Sequence, residues 1–258
     1  MQGTTDEAME APKESGYFQI SRTGTYGFLA ALPLFVLYES LILSVNGDSV
    51  SQVRVGADLW IKQALAALGG NGMLALGILV LAIGIFVFVK ERNVDTPIRV
   101  NYFGLMIAES TVYAIVVALL VSTMVSLIFT VAPAMAPAIM QDASEKLGSG
   151  MMVVLSIGAG LYEELIFRVV LVGGLFLVFR SVMGKKKSAY IAAAIVGALI
   201  FSGVHYIGAL GDVFTLPSFT FRFLFGLVLN GIFLVRGFGV AAWTHAIYDV
   251  LVVTQILG

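Results

Sequence analysis

Seven stretches of about 18 or more mostly apolar residues, near 26–45, 72–90, 103–131, 151–179, 189–208, 218–235 and 238–257, are each long enough to cross a bilayer as a helix. Of the 258 residues 59% are hydrophobic and only 12% charged, against roughly 25% charged in an ordinary soluble domain. The expected fold is therefore all-α: a polytopic transmembrane helical bundle of about seven spans in a single integral domain. A formal net charge of −1 gives no sign of a nucleic-acid partner, and the lack of cysteine excludes disulfides, thiolate metal sites and a cysteine nucleophile.

Residues 1–22 are polar, carry Asp6, Glu7, Glu10 and Glu14, and lack the basic, apolar and small-residue segments of a secretory signal; they read as a flexible tail. Residues 23–149 form an N-terminal transmembrane region. Pro33 and Glu39 interrupt its first span, and Pro133 and Pro137 end its third, ahead of a polar loop over 141–150. Between the first two spans, 46–70 is amphipathic, with Val53, Val55, Leu59, Trp60, Ala64 and Leu68 among Arg54, Asp58 and Lys62, the pattern of a helix lying at the membrane interface. Arg180, Lys185, Lys186 and Lys187 cluster after the fourth span, whereas 208–217 has no basic residue, so the former loop is expected to be cytoplasmic. Counting outward puts Lys90, Arg92, Arg99, Arg236 and the N-terminus inside as well. Arg54 and Lys62 fit that count poorly. The expected location is a bacterial-type cytoplasmic membrane.

In the fourth span, Leu-Tyr-Glu-Glu-Leu-Ile-Phe-Arg at 161–168 sets three ionisable groups within six residues of an apolar stretch. Each costs roughly 2.5–3.5 kcal/mol at the centre of a spanning helix even on lenient scales, so a functional or pairing role is required. Glu164 and Arg168, four apart, share a helix face and can pair; Glu163 is turned about 100° away and stays free to act as a general base. The alternative is a buried ion network of all three that only holds helices together. The chain's two histidines both lie in spans: Phe201 and His205 are four apart in the fifth, and His245 and Asp249 repeat that spacing in the seventh. Between them, Phe221, Gly226 and Asn230 mark a span whose small residues permit close helix packing, with Asn230 either packing or donating a hydrogen bond into the site.

The order Glu-Glu-x-x-x-Arg, Phe-x-x-x-His, a Phe/Gly-rich span and His-x-x-x-Asp resembles the CPBP family of intramembrane proteases, which includes the type II CAAX prenyl endopeptidases and bacterial relatives linked to bacteriocin processing and self-immunity. The resemblance covers about 150–255 and makes 150–258 a four-helix catalytic core. It implies that Glu163 activates water with His205 assisting, that His245 and residue 249 stabilise the oxyanion, and that Glu164 and Arg168 brace the first helix. Many relatives carry Asn at the position of Asp249. An ionised Asp249 would repel an oxyanion and suits orienting His245 or binding metal, whereas a protonated one could still donate a hydrogen bond, as buried acids sometimes do. The implied activity is an intramembrane endopeptidase acting on a membrane-embedded or lipid-anchored protein or peptide, with no cofactor expected. Glu163, His205, His245 and Asp249 also form a possible Zn²⁺ shell, and the residues alone leave both chemistries open. Two other classes remain: a proton-coupled carrier or channel, to which Glu39 and Glu109 in earlier spans would contribute, and a non-catalytic membrane adaptor or immunity factor. At roughly 1.5 Å per residue, Glu163 lies about 25 Å from Arg180 along its helix, which places the site in the outer half of the bilayer.

Overall fold

A computed structural model describes residues 16–46, 54–67, 72–92, 97–130, 148–208 and 211–256. Among them are nine helices and no strand: α1 (Tyr17–Ile20), α2 (Gly24–Asn46), α3 (Gly56–Ala67), α4 (Gly72–Glu91), α5 (Val100–Phe129), α6 (Ser149–Met183), α7 (Lys186–Val204), α8 (Leu216–Arg236) and α9 (Phe238–Val253). Six of these are long and apolar enough to cross a membrane, and α9 is a shorter apolar helix of 16 residues. Pro33 sits inside α2 without ending it. The third span ends at Phe129, followed by Thr130 in the left-handed region; Pro133 and Pro137 and most of the expected 141–150 loop lie outside the described residues.

The shortest apolar helix occupies the middle of the bundle. About 24 Å of α9 would be too short to span a 30 Å core on its own, but it packs against α2, α5, α6 and α8 rather than lipid. Small residues allow this: a Cβ on Gly239 would stand 2.9 Å from Ala30, and one on Gly160 of α6 would stand 2.5 Å from the backbone nitrogen of Ala246. The N-terminal spans share this core, since Ala114, Val117 and Val121 of α5 cluster with Phe167, Phe201 and Phe225. By contrast α4 turns Leu74, Ile78, Leu81, Ile85 and Phe88 outward, as a lipid-facing helix does.

Polar contacts tie one end of the bundle together. The Glu91 carboxylate at the end of α4 accepts from the backbone N–H groups of Gly24 and Thr25 at 2.8 Å each, satisfying orphan donors at the start of α2. Arg236, at the end of α8, grips Glu109 of α5 (Nη2 to Oε2 2.7 Å) and donates to Ser21 Oγ and the Phe18 carbonyl. Tyr17 also donates to Glu109, at 2.6 Å. The expected tail therefore has a packed end: residues 1–15 lie outside the described set, but α1 is docked, with Ile20 and Ser21 buried.

The amphipathic segment expected to lie at the interface is described over 54–67, where it forms α3; Val53 and Leu68 lie outside the described residues. Its charges face the protein: Lys62 Nζ lies 2.8 Å from Glu39 and 2.7 Å from Asp58, and Arg54 reaches the same two acids at 3.3 and 3.0 Å. Its apolar Leu59 and Trp60 are exposed. The reason is Glu39 of α2, an acid within a span that draws two cations inward. Burial disfavours the Arg54 charge, but the hydrogen bond and charge of Asp58, with Glu39 beyond, outweigh it and hold the guanidinium above its ordinary range. Arg54 and Lys62 are therefore accounted for by pairing rather than by headgroup contact. Glu39 and Glu109 both belong to paired networks, which removes the support they lent to an ion pathway.

Candidate active site

Glu163 lies where α6 leaves regular α geometry. Ala159–Glu163 and Leu165–Val172 form wider π turns, a local geometry concentrated at functional sites. Two glycines let this segment press against its neighbours: besides Gly160 on Ala246, a Cβ on Gly158 would stand 2.3 Å from the Tyr38 ring. Tyr162, next to Glu163, donates to Glu39 at 2.6 Å, so the ion network of α2 and α3 braces this stretch from behind.

Glu164 and Arg168 pair as expected, with Nε and Oε2 3.0 Å apart, although the N–H is not aimed along the contact. Both are buried. Glu164 has a second role not read from the sequence: its other oxygen lies 2.8 Å from His245 Nδ1. A carboxylate there accepts an N–H, so Glu164 sets the orientation of the ring. The orienting role expected for Asp249 thus falls to Glu164, while Asp249 Oδ2 lies 3.5 Å from Nε2 on the other side of the ring. His205 follows the last residue of α7, and its Nδ1 lies 2.7 Å from the Phe201 carbonyl. A carbonyl can only accept, so the proton of the neutral ring sits on Nδ1.

With each Nδ1 engaged, both Nε2 atoms point at one carboxylate oxygen: His205 Nε2 is 3.8 Å and His245 Nε2 4.0 Å from Glu163 Oε2. These separations exceed a direct hydrogen bond and suit a bridging solvent molecule. Phe201 wedges the arrangement, edge-on to His205 at 4.9 Å and to His245 at 6.1 Å, with Arg168 over its face at 4.5 Å. Gly226 makes room for it, since a Cβ there would stand 3.0 Å from the Phe201 ring.

Glu163, Phe201, His205, Phe221, His245 and Asp249, all expected in the site, line one cavity of about 70 Å³. Gly226 and Asn230 do not line it. Asn230 Nδ2 donates to the Ala194 carbonyl at 2.9 Å and its own carbonyl accepts from Tyr190, so it joins α8 to α7. Arg222, Phe225 and Tyr248 also line the cavity, and sequence reasoning missed them. Arg222 carried a signal, because an ionisable residue within a span is a functional candidate by default. Among the described residues no group of three or more His, Cys, Asp or Glu is arranged to hold a metal ion.

Residues 146–251 match a family model described as type II CAAX prenyl endopeptidase Rce1-like. No curated protein and no solved structure matches the chain. The matched stretch carries Glu163, Glu164, Arg168, His205, His245 and Asp249 in one run, and over these residues, somewhat under half of its length, the chain is similar to the type II CAAX prenyl endopeptidases.

Proposed function

We propose that the protein is an intramembrane endopeptidase that cleaves a peptide bond of a membrane-embedded or lipid-anchored protein with water activated by Glu163. Glu163 takes a proton from a water held between it and His205, and the hydroxide adds to the carbonyl carbon. The intermediate collapses as Glu163 returns the proton to the leaving nitrogen, giving a carboxylic acid, which then loses its proton to the released amine or to solvent, and the amine. His245, fixed by Glu164, contributes to positioning the reacting oxygens. The observation that carries this reading is the approach of two Nε2 atoms to one Glu163 oxygen at 3.8 and 4.0 Å inside an aromatic-walled cavity. No serine or cysteine nucleophile and no metal is required.

The reading is tested with the purified full chain in lipid nanodiscs and internally quenched peptides: a farnesylated carboxy-terminal peptide, its unprenylated copy, and hydrophobic spanning peptides. Cleavage of at least one, unaffected by EDTA or 1,10-phenanthroline, is expected. Failure to cut any, or chelator-sensitive cleavage restored by Zn²⁺, contradicts it.

For orientation, we place the N-terminus inside and the site in the outer half of the bilayer. The start of α2, the end of α4 and the end of α8 meet at one end of the bundle, with the site residues toward the other. Since the chain has no cysteine, single Val213→Cys and Lys186→Cys variants give a clean labelling test. Impermeant thiol reagents added outside should modify the first and spare the second; the reverse pattern inverts the topology.

A further inference from the structure

Hydrolysis through a tetrahedral intermediate requires donors aimed at the oxygen on which negative charge develops. Most polar atoms facing this cavity are acceptors. Neutral His205 has its single N–H on the Phe201 carbonyl, and neutral His245 has its own on Glu164, so both cavity-facing Nε2 atoms carry lone pairs. A charged His245 would gain an Nε2 proton, but that proton would face Asp249 at 3.5 Å and Glu163 at 4.0 Å. Glu163 and Asp249 are carboxyl groups, which donate only when protonated.

Arg222 lines the same cavity and brings permanent donors to it. A guanidinium has five N–H groups. Nη1 donates to Tyr206 Oη at 2.9 Å and Ser218 Oγ at 2.7 Å, and Nη2 donates to the Asp212 carboxylate, which leaves Nε–H and the second hydrogen of Nη2 without a partner among the described residues. These contacts hold the head group in place, as preorganisation demands. Asp212 also donates its backbone N–H to the His205 carbonyl at 2.8 Å, so one short loop sets the position of Arg222 relative to His205.

We infer that Arg222 is the oxyanion-binding residue of this chain, its two uncommitted N–H groups donating to the substrate carbonyl oxygen as it becomes tetrahedral. The inference rests on the peptidase reading and supplies a donor that does not depend on the protonation of Asp249 or of either imidazole.

The test uses the full chain in nanodiscs, the best-cut peptide, and its phosphinate isostere as a tetrahedral probe measured by calorimetry. Arg222→Gln should lower kcat by about 10²–10³ with KM changed less than threefold, and weaken phosphinate binding by the same factor. Binding of an uncleavable N-methyl peptide should not change. Arg222→Lys should recover part of kcat, and Asp212→Asn should stay within about tenfold of the parent. Three outcomes overturn the inference. In the first, Arg222→Gln raises KM alone, and amidating the peptide's carboxy terminus raises KM in the parent but not in the variant; the guanidinium then reads a terminal carboxylate. In the second, Asp212→Asn loses as much kcat as Arg222→Gln while phosphinate binding is unchanged in both, which makes Arg222 part of a structural clasp. In the third, the parent neither cuts any peptide nor binds the phosphinate; the peptidase reading itself then fails, and the inference with it.

Discussion

Two clusters of acids sit in the spans, one around Glu39 and one around Glu163, and they are built on opposite principles. Glu39 and Asp58 meet Lys62 and Arg54 at 2.7–3.3 Å, with hydroxyls of Tyr162 and Tyr38 completing the set. Every charge there has an opposite charge in contact, so the cluster holds helices together. Glu163 instead faces two imidazoles at 3.8 and 4.0 Å across a cavity, with Asp249 close by and Arg222 on the same wall. Its pairing is left unfinished, as the proposed proton transfer requires. Glu164 lies between these extremes: it is buried and paired like Glu39, yet it sets the ring that faces Glu163. An intramembrane acid is therefore read by whether its partners close on it or stand back around space.

Substitutions at the two clusters should separate stability from turnover. Glu163→Gln carries the largest expected effect: at least about 10³-fold lower turnover, with a Tm unchanged or raised because one poorly paired acid is gone. A quenched-peptide assay and a thermal-shift measurement on the same preparation check both halves. Next, Glu164→Gln should lower turnover about 10²-fold and also destabilise, by about 3–5 kcal/mol, because Arg168 is left buried without its counter-charge. Turnover and Tm falling together distinguish it from Glu163→Gln. Glu39→Gln should reverse the first pattern, with turnover within about threefold and a loss of roughly 1–3 kcal/mol seen as a lowered Tm. A full loss of activity there at unchanged Tm would break the comparison. The smallest effect belongs to Asn230→Ala, about 1 kcal/mol from its bond to the Ala194 carbonyl, with turnover unchanged. A selective fall in kcat would instead make Asn230 a donor to the site.

The spans were legible because bilayer thickness dictates the length of an apolar run, and Glu163, His205, His245 and Asp249 because ionisable groups in such runs are too costly to be incidental. Three things were not. The direction of α3 depends on where Glu39 sits, since amphipathic periodicity alone does not say whether the polar face meets headgroups or a buried acid. The Glu164–His245 contact joins residues 81 apart, and no local spacing announces it. Arg222 requires knowing how α8 is rotated and how the loop after His205 folds back through Asp212. The i, i+4 reading of Glu164 and Arg168 survived the π turns because the wider turn still leaves the two groups 3.0 Å apart.

The most direct measurement is a single turnover in H₂¹⁸O by the full chain in nanodiscs, with mass spectrometry of both the product and the enzyme. Water activated by Glu163 predicts one ¹⁸O in the new carboxylate of the product and none in the enzyme fragment that contains Glu163. An unlabelled product with ¹⁸O in Glu163, or no cleaved product at all, would contradict the account.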